Sequence, residues 1–145
     1  LCSVLVETQP VAKPLDEAMS VCLEVASAAH YSAVPPEIAV ALAFTESRMD
    51  RDAVSSRGAR GPLQVLPRYY CPRGRVKGCD LVPVGIDALE RNLLRYGGDP
   101  VDWHATLCHW NSGHTCYRRS RLFATIVLDR ADEFRHAALL RAGDR

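Results

Sequence analysis

From Ile38 to Phe44 the chain reads Ile-Ala-Val-Ala-Leu-Ala-Phe, apolar or small at every position. The Pro35–Pro36 step before it suits a helix start, because proline's fixed φ and missing N–H cost nothing in a first turn. The run therefore predicts a helix over Pro36–Met49. A helix apolar on all sides has no solvent face, so it belongs at the centre of the fold with other helices around it. Near its C-terminal end it carries Glu46. A solitary Glu on a helix is ordinarily a solvated surface residue. On a buried helix it needs a reason, because burial disfavours the charged form. The same burial can keep a proton on the carboxyl near neutrality, which is what a general acid requires.

The residues beyond Glu46 strengthen the functional reading. Ala53–Gly61 is a small-residue loop with Ser55, Ser56, Gly58 and Gly61, and Gln64 then stands among Leu63, Val65 and Leu66 before Pro67. Val54–Leu66 is too rich in Gly and Ser for a helix and reads as a loop with short strand pieces. Glycines let backbone approach a bulky ligand. A buried amide such as Gln64 is costly without partners. Phe44–Pro67 is thus an expected active-site segment.

The rest of the chain reads as helices. Leu1–Val11 is expected to be an irregular arm or short strand. Pro14–His30 has apolar or small residues at helical spacing, with Asp16 and Glu17 in the first turn where the helix dipole favours them. Tyr69–Val84 is a turn-rich excursion. Gly85–Tyr96 is amphipathic and stops at Gly97–Gly98. Asp99–Asp102 caps a helix over Trp103–Asn111 that breaks at Gly113. Arg118–Leu140 reads as two helices split near Asp129–Asp132. These elements predict one mainly α domain over residues 1–145, with a small loop and strand segment beside a cleft.

The net charge of +1 leaves no electrostatic footprint for nucleic acid. Arginines cluster at Arg57, Arg60, Arg68, Arg73 and Arg75, and again at Arg118, Arg119 and Arg121; a local basic rim of this kind could favour an anionic polymer, but each cluster reads first as a solvated face. No stretch reaches the length of a membrane-spanning helix. The chain opens on Leu1 without Met, as either a processed or a trimmed chain would, and any signal peptide would already be missing from view. Six cysteines are many for a cytosolic chain of this size. Their even number and short spacings favour disulfides over zinc, since there is no CxxC pair and His104, His109 and His114 lack finger spacing. Cys2–Cys22, Cys71–Cys79 and Cys108–Cys116 are the pairs that locality favours, among the many connectivities six cysteines allow. An oxidising compartment is implied, in the cell envelope, periplasm or exterior.

Three segments occur in order: Glu46–Ser47, then Ser-Ser-Arg-Gly-Ala-Arg-Gly-Pro-Leu-Gln over Ser55–Gln64 with Pro67 beyond, then Trp-Asn-Ser-Gly over Trp110–Gly113. Together they resemble the lytic transglycosylases of the lysozyme-like superfamily. That family shows Glu-Ser, a Ser-x-x-Gly-Ala-x-Gly-Leu-Met-Gln loop followed by Pro, and an Ala-Tyr-Asn-Ala-Gly segment. The resemblance covers about Pro36–Leu128. Pro62 and Leu63 stand where Leu and Met are usual, and Trp110 and Ser112 replace Tyr and Ala. The Tyr70–Cys79 segment lies outside the pattern.

The resemblance implies a lysozyme-like fold and cleavage of the β-1,4 bond between N-acetylmuramic acid and N-acetylglucosamine in peptidoglycan, with no cofactor and no metal. Glu46 would be the catalytic acid and base. Ser55, Gln64 and Asn111 would hold polar groups of the sugar, with Trp110 as a stacking face; Tyr69 and Tyr70 read equally as groove or core residues. Ser55 also reads as a turn-forming serine, and Asn111 as a helix-end residue. A muramidase that uses water and a non-catalytic wall-binding module are the competing readings. The user of the activity stays open among a secretion or conjugation apparatus, a phage particle and a free wall enzyme.

Overall fold

The computed structural model describes residues 1–144. Among them are seven α-helices: α1 (Cys2–Thr8), α2 (Leu15–His30), α3 (Pro36–Ser47), α4 (Pro67–Tyr70), α5 (Leu81–Tyr96), α6 (Trp103–Ser112) and α7 (Arg118–Gly143). Extended structure is confined to isolated bridges that pair Val54 with Arg60 and Arg60 with Val65. The architecture is mainly α.

Helix α3 runs through the middle. Ile38 to Phe44 are all buried, and α3 packs against α2 on one side and α7 on another. Phe44 meets Phe134 of α7 edge to face, with ring centroids 6.2 Å apart. The helix ends at Ser47, two residues earlier than the apolar pattern predicts. Arg48 and Met49 both adopt left-handed backbone, with φ of 52° and 65°. That turn drives the Met49 side chain into the core, where it is fully buried. The Arg48 carbonyl is fixed from outside the helix by the Ala12 N–H at 3.0 Å. Core burial of Met49 thus offsets backbone strain that non-glycine residues normally avoid.

Three other expectations are corrected. The N-terminal arm is helical: Val4, Leu5 and Val6 are buried against α2 and α7, and the Cys2–Cys22 disulfide ties α1 to α2. Tertiary burial here outweighs the strand preference of a Val-rich run. Helix α5 begins four residues before Gly85, because Pro83 falls in its first turn, where no intrahelical N–H is needed. The C-terminal segment is one 26-residue helix. Asp129 and Asp132 face solvent, while Ser120, Ala124, Val127, Ala131 and Phe134 form an unbroken buried stripe at helical spacing.

Two further disulfides staple loops. Cys71–Cys79 closes the excursion between α4 and α5, and Cys108–Cys116 joins α6 to the approach to α7. Gly85 lets α5 lie against the loop before it: a Cβ there would meet the Leu63 side chain at 2.7 Å. No described helix is long and apolar enough to cross a membrane.

Candidate active site

The C-terminal turn of α3 delivers Glu46 to a half-buried position. Its neighbours in the same turn donate locally: the Thr45 and Ser47 hydroxyls donate to the carbonyls of Ala41 and Ala43, four residues back, and Thr45 also accepts from Arg130 of α7 at 2.9 Å. Glu46 reaches a residue 64 positions away. The Trp110 indole Nε1–H, from α6, donates to its Oε1 at 3.2 Å. Burial pushes the Glu46 carboxyl up to about 7, against the smaller opposing effect of the indole hydrogen bond. Indole is a donor only, so this bond favours the ionised carboxylate without competing for its proton. The result is a carboxyl that carries its proton near neutrality and has a donor in place for the charge left when the proton departs.

Trp110 forms part of the wall of a groove of about 880 Å³. The rest comes from α4, α5, the end of α6, the start of α7 and the segments beside them, including Arg57 of the Ser55–Ala59 turn, Tyr69, Asn92, Tyr96 and Asn111. The walls are braced from behind. Asn92 of α5 donates to the Thr106 carbonyl of α6 at 2.7 Å, and the Tyr96 and His109 rings stack with centroids 3.9 Å apart. His109 Nδ1 meets the Gly113 carbonyl at 2.6 Å, so that nitrogen carries the proton. Ser112 Oγ donates to the Cys108 carbonyl. These two side chains close the turn after α6, and exposed Asn111 is left at the groove surface.

The residues named from sequence therefore divide. Tyr69, Trp110 and Asn111 line the groove; Glu46 is not among its lining residues, and its link to the groove is the hydrogen bond it accepts from the wall residue Trp110. Ser55 and Gln64 do not line it. The Ser55 hydroxyl accepts the N–H groups of Arg57 and Ala59 and so holds the tight turn of its own loop. The Gln64 amide donates to the carbonyls of Ala53, at 3.1 Å, and Gly61, at 2.9 Å, tying the two ends of that loop together. Gln64 itself sits at φ 52°. Both side chains act on the backbone that runs past the end of α3.

Asp50 and Asp52 are the acids nearest Glu46 in sequence. The left-handed step at Arg48–Met49 sends them elsewhere. Asp50 Oδ1 accepts the Asp52 N–H at 2.9 Å and lies 3.9 Å from Lys13 Nζ. Asp52 lines a separate hollow of about 180 Å³ with Lys13 and Glu17. Asn92 and Tyr96 line the groove without having been singled out from the sequence, and His109 and His114, which the sequence leaves as core or surface histidines, line it too. Asn92 and Tyr96 had no sequence signal beyond their place in the last turns of amphipathic α5.

No curated protein and no solved structure gave a significant match to the chain. The family profile described as the transglycosylase SLT domain does match, over residues 24–123. That span runs from within α2 to the first turns of α7 and takes in Glu46, the Ser55–Gln64 loop and Trp110–Gly113. The chain therefore belongs to the transglycosylase SLT domain family, a lytic-transglycosylase-type domain that acts on peptidoglycan.

Proposed function

We propose that this chain cleaves the β-1,4 bond between N-acetylmuramic acid and N-acetylglucosamine without water, with Glu46 as both acid and base. The protonated carboxyl donates to the bridging oxygen as the C1–O bond breaks, and positive charge builds at C1 of the muramic acid. The resulting carboxylate, held by the Trp110 N–H, takes the proton of the sugar's own 6-hydroxyl. That oxygen bonds to C1 and closes a 1,6-anhydro ring. Glu46 ends the cycle protonated, as it began, and no water is consumed.

The observation that carries this reading is the carboxyl held at about 7 beside a single indole donor. Glycosidases that hydrolyse usually set a second carboxylate across the scissile bond, and the two acids closest in sequence turn toward Lys13 instead. Trp110, Tyr69 and Asn111 supply a stacking face and polar groups for a sugar chain along the groove. Three disulfides together with a peptidoglycan-acting family point to an extracytoplasmic compartment.

Mass analysis of the muropeptides released from purified peptidoglycan tests the proposal. Anhydro ends are expected; reducing ends would make the protein a muramidase. Glu46→Gln should lower turnover about 10²- to 10⁴-fold, the range for removal of a general acid. Turnover close to wild type in that variant would remove Glu46 from the chemistry.

A further inference from the structure

The groove carries one sign of charge. Arg57, Arg91, Arg95 and Arg119 line it with two histidines, and among the described residues no carboxylate does. Across the whole chain charges balance to +1, so the fold has concentrated them here. Arg91 is engaged by Asp87 at 2.6 Å. Arg57, Arg95 and Arg119 are exposed and form no ion pair among the described residues. They come from three separate places: the Ser55–Ala59 turn, the last turn of α5 and the first turn of α7. Arg119 also stands where α7 starts with no side-chain cap and no acid in its first turn, so the positive end of that helix adds to the field.

A neutral sugar chain has no use for this field, because hydroxyl and N-acetyl groups are met by amides, hydroxyls and aromatic faces. Guanidinium forks match carboxylates, with two parallel N–H donors each. We propose that Arg57, Arg95 and Arg119 recognise an anion carried on the glycan, namely the free carboxylates of the peptide stems that branch from it. The inference rests on the peptidoglycan-cleaving reading and adds a substrate class: strands whose stems keep their carboxylates. Phosphodiester polymers attached to the wall offer the same charge and are the alternative source.

Binding can be read apart from cleavage with Glu46→Gln protein. Its cosedimentation is measured on insoluble peptidoglycan from which phosphodiester polymers have been stripped, before and after chemical amidation of the carboxyls. Amidation should weaken binding about tenfold at low salt, a few-fold for each exposed charge, and the difference should shrink at about 0.5 M salt. Adding Arg57→Gln, Arg95→Gln and Arg119→Gln should bring binding to the two preparations level; if the triple variant fails to fold, each single change should reduce the difference a few-fold. In otherwise wild-type protein the triple change should raise KM on stem-bearing strands more than it lowers kcat. Equal binding to free and amidated material would overturn the inference, as would loss of binding on stripping alone. Normal turnover by Glu46→Gln would sink the catalytic reading and leave these binding results interpretable.

Discussion

The Ser55–Gln64 loop and the Trp110–Gly113 turn carry similar weight as motifs, yet their polar groups do opposite work. In the loop, Ser55 accepts from its own turn and Gln64 donates to Ala53 and Gly61; both face inward on backbone. In the turn, backbone closure falls to Ser112 and His109, while Trp110 reaches the Glu46 carboxyl and Asn111 stays at the groove. One motif builds the shape beside the carboxyl and the other touches it. Shape-building groups should be felt in stability, and touching groups in rate and pH dependence.

The largest expected effect of this contrast is at Trp110. Trp110→Phe keeps the ring and removes the donor, so the Glu46 carboxylate loses a hydrogen bond to a charged group worth about 1.5–3 kcal/mol. Turnover should fall roughly 10- to 100-fold by that figure. The alkaline limb of the pH–rate profile should also move up, because the indole bond is what holds the Glu46 value down. A slower variant with an unmoved limb would make Trp110 a packing residue only.

A second effect concerns stability and pH. The Glu46 value is raised from 4.5 to about 7 by folding. Below about 4.5 both folded and unfolded chains are protonated there and the site costs nothing. Between the two values the folded chain holds more protons, so stability falls as pH rises, and the loss levels off above 7. Glu46→Gln removes that dependence. Its unfolding free energy relative to wild type should rise by about 2 kcal/mol from pH 4 to pH 8, the linkage value reduced because the carboxyl is only half-buried. Parallel denaturant curves for the two proteins across that range would refute it.

The smallest effect expected is on the loop. Gln64→Ala leaves the Ala53 and Gly61 carbonyls without that donor and should cost about 1–2 kcal/mol of stability. Its pH–rate profile should keep the wild-type limbs. A shifted limb with unchanged melting would break the contrast by giving Gln64 a place at the carboxyl.

Much of the frame was legible because burial leaves a periodic trace. The apolar run Ile38–Phe44 predicted the central helix, and the spacing along α2 and α5 predicted most of their buried faces, although Leu15 and Leu94, read with those faces, are exposed. The features that escaped lacked any local trace. The left-handed step at Arg48–Met49 is set by the core space that Met49 fills. Asp129 and Asp132 resembled a helix break, although α7 simply turns them outward. At the site, the Glu46 carboxyl could be singled out because it stands on a helix whose Ile38–Phe44 run is apolar on all sides. Its partner could not, since the Glu46–Trp110 bond spans 64 positions. The two arginine clusters were visible in the sequence as a candidate basic rim, but that Arg57 and Arg119 line one groove is set only by the fold.

Direct titration of the Glu46 carboxyl by carbon-13 NMR, assigned by its disappearance in Glu46→Gln, goes to the centre of the account. A midpoint close to 7 is predicted. A midpoint near 4.5, the ordinary value for glutamate, would mean the carboxyl is ionised at neutral pH and cannot serve as the proton donor.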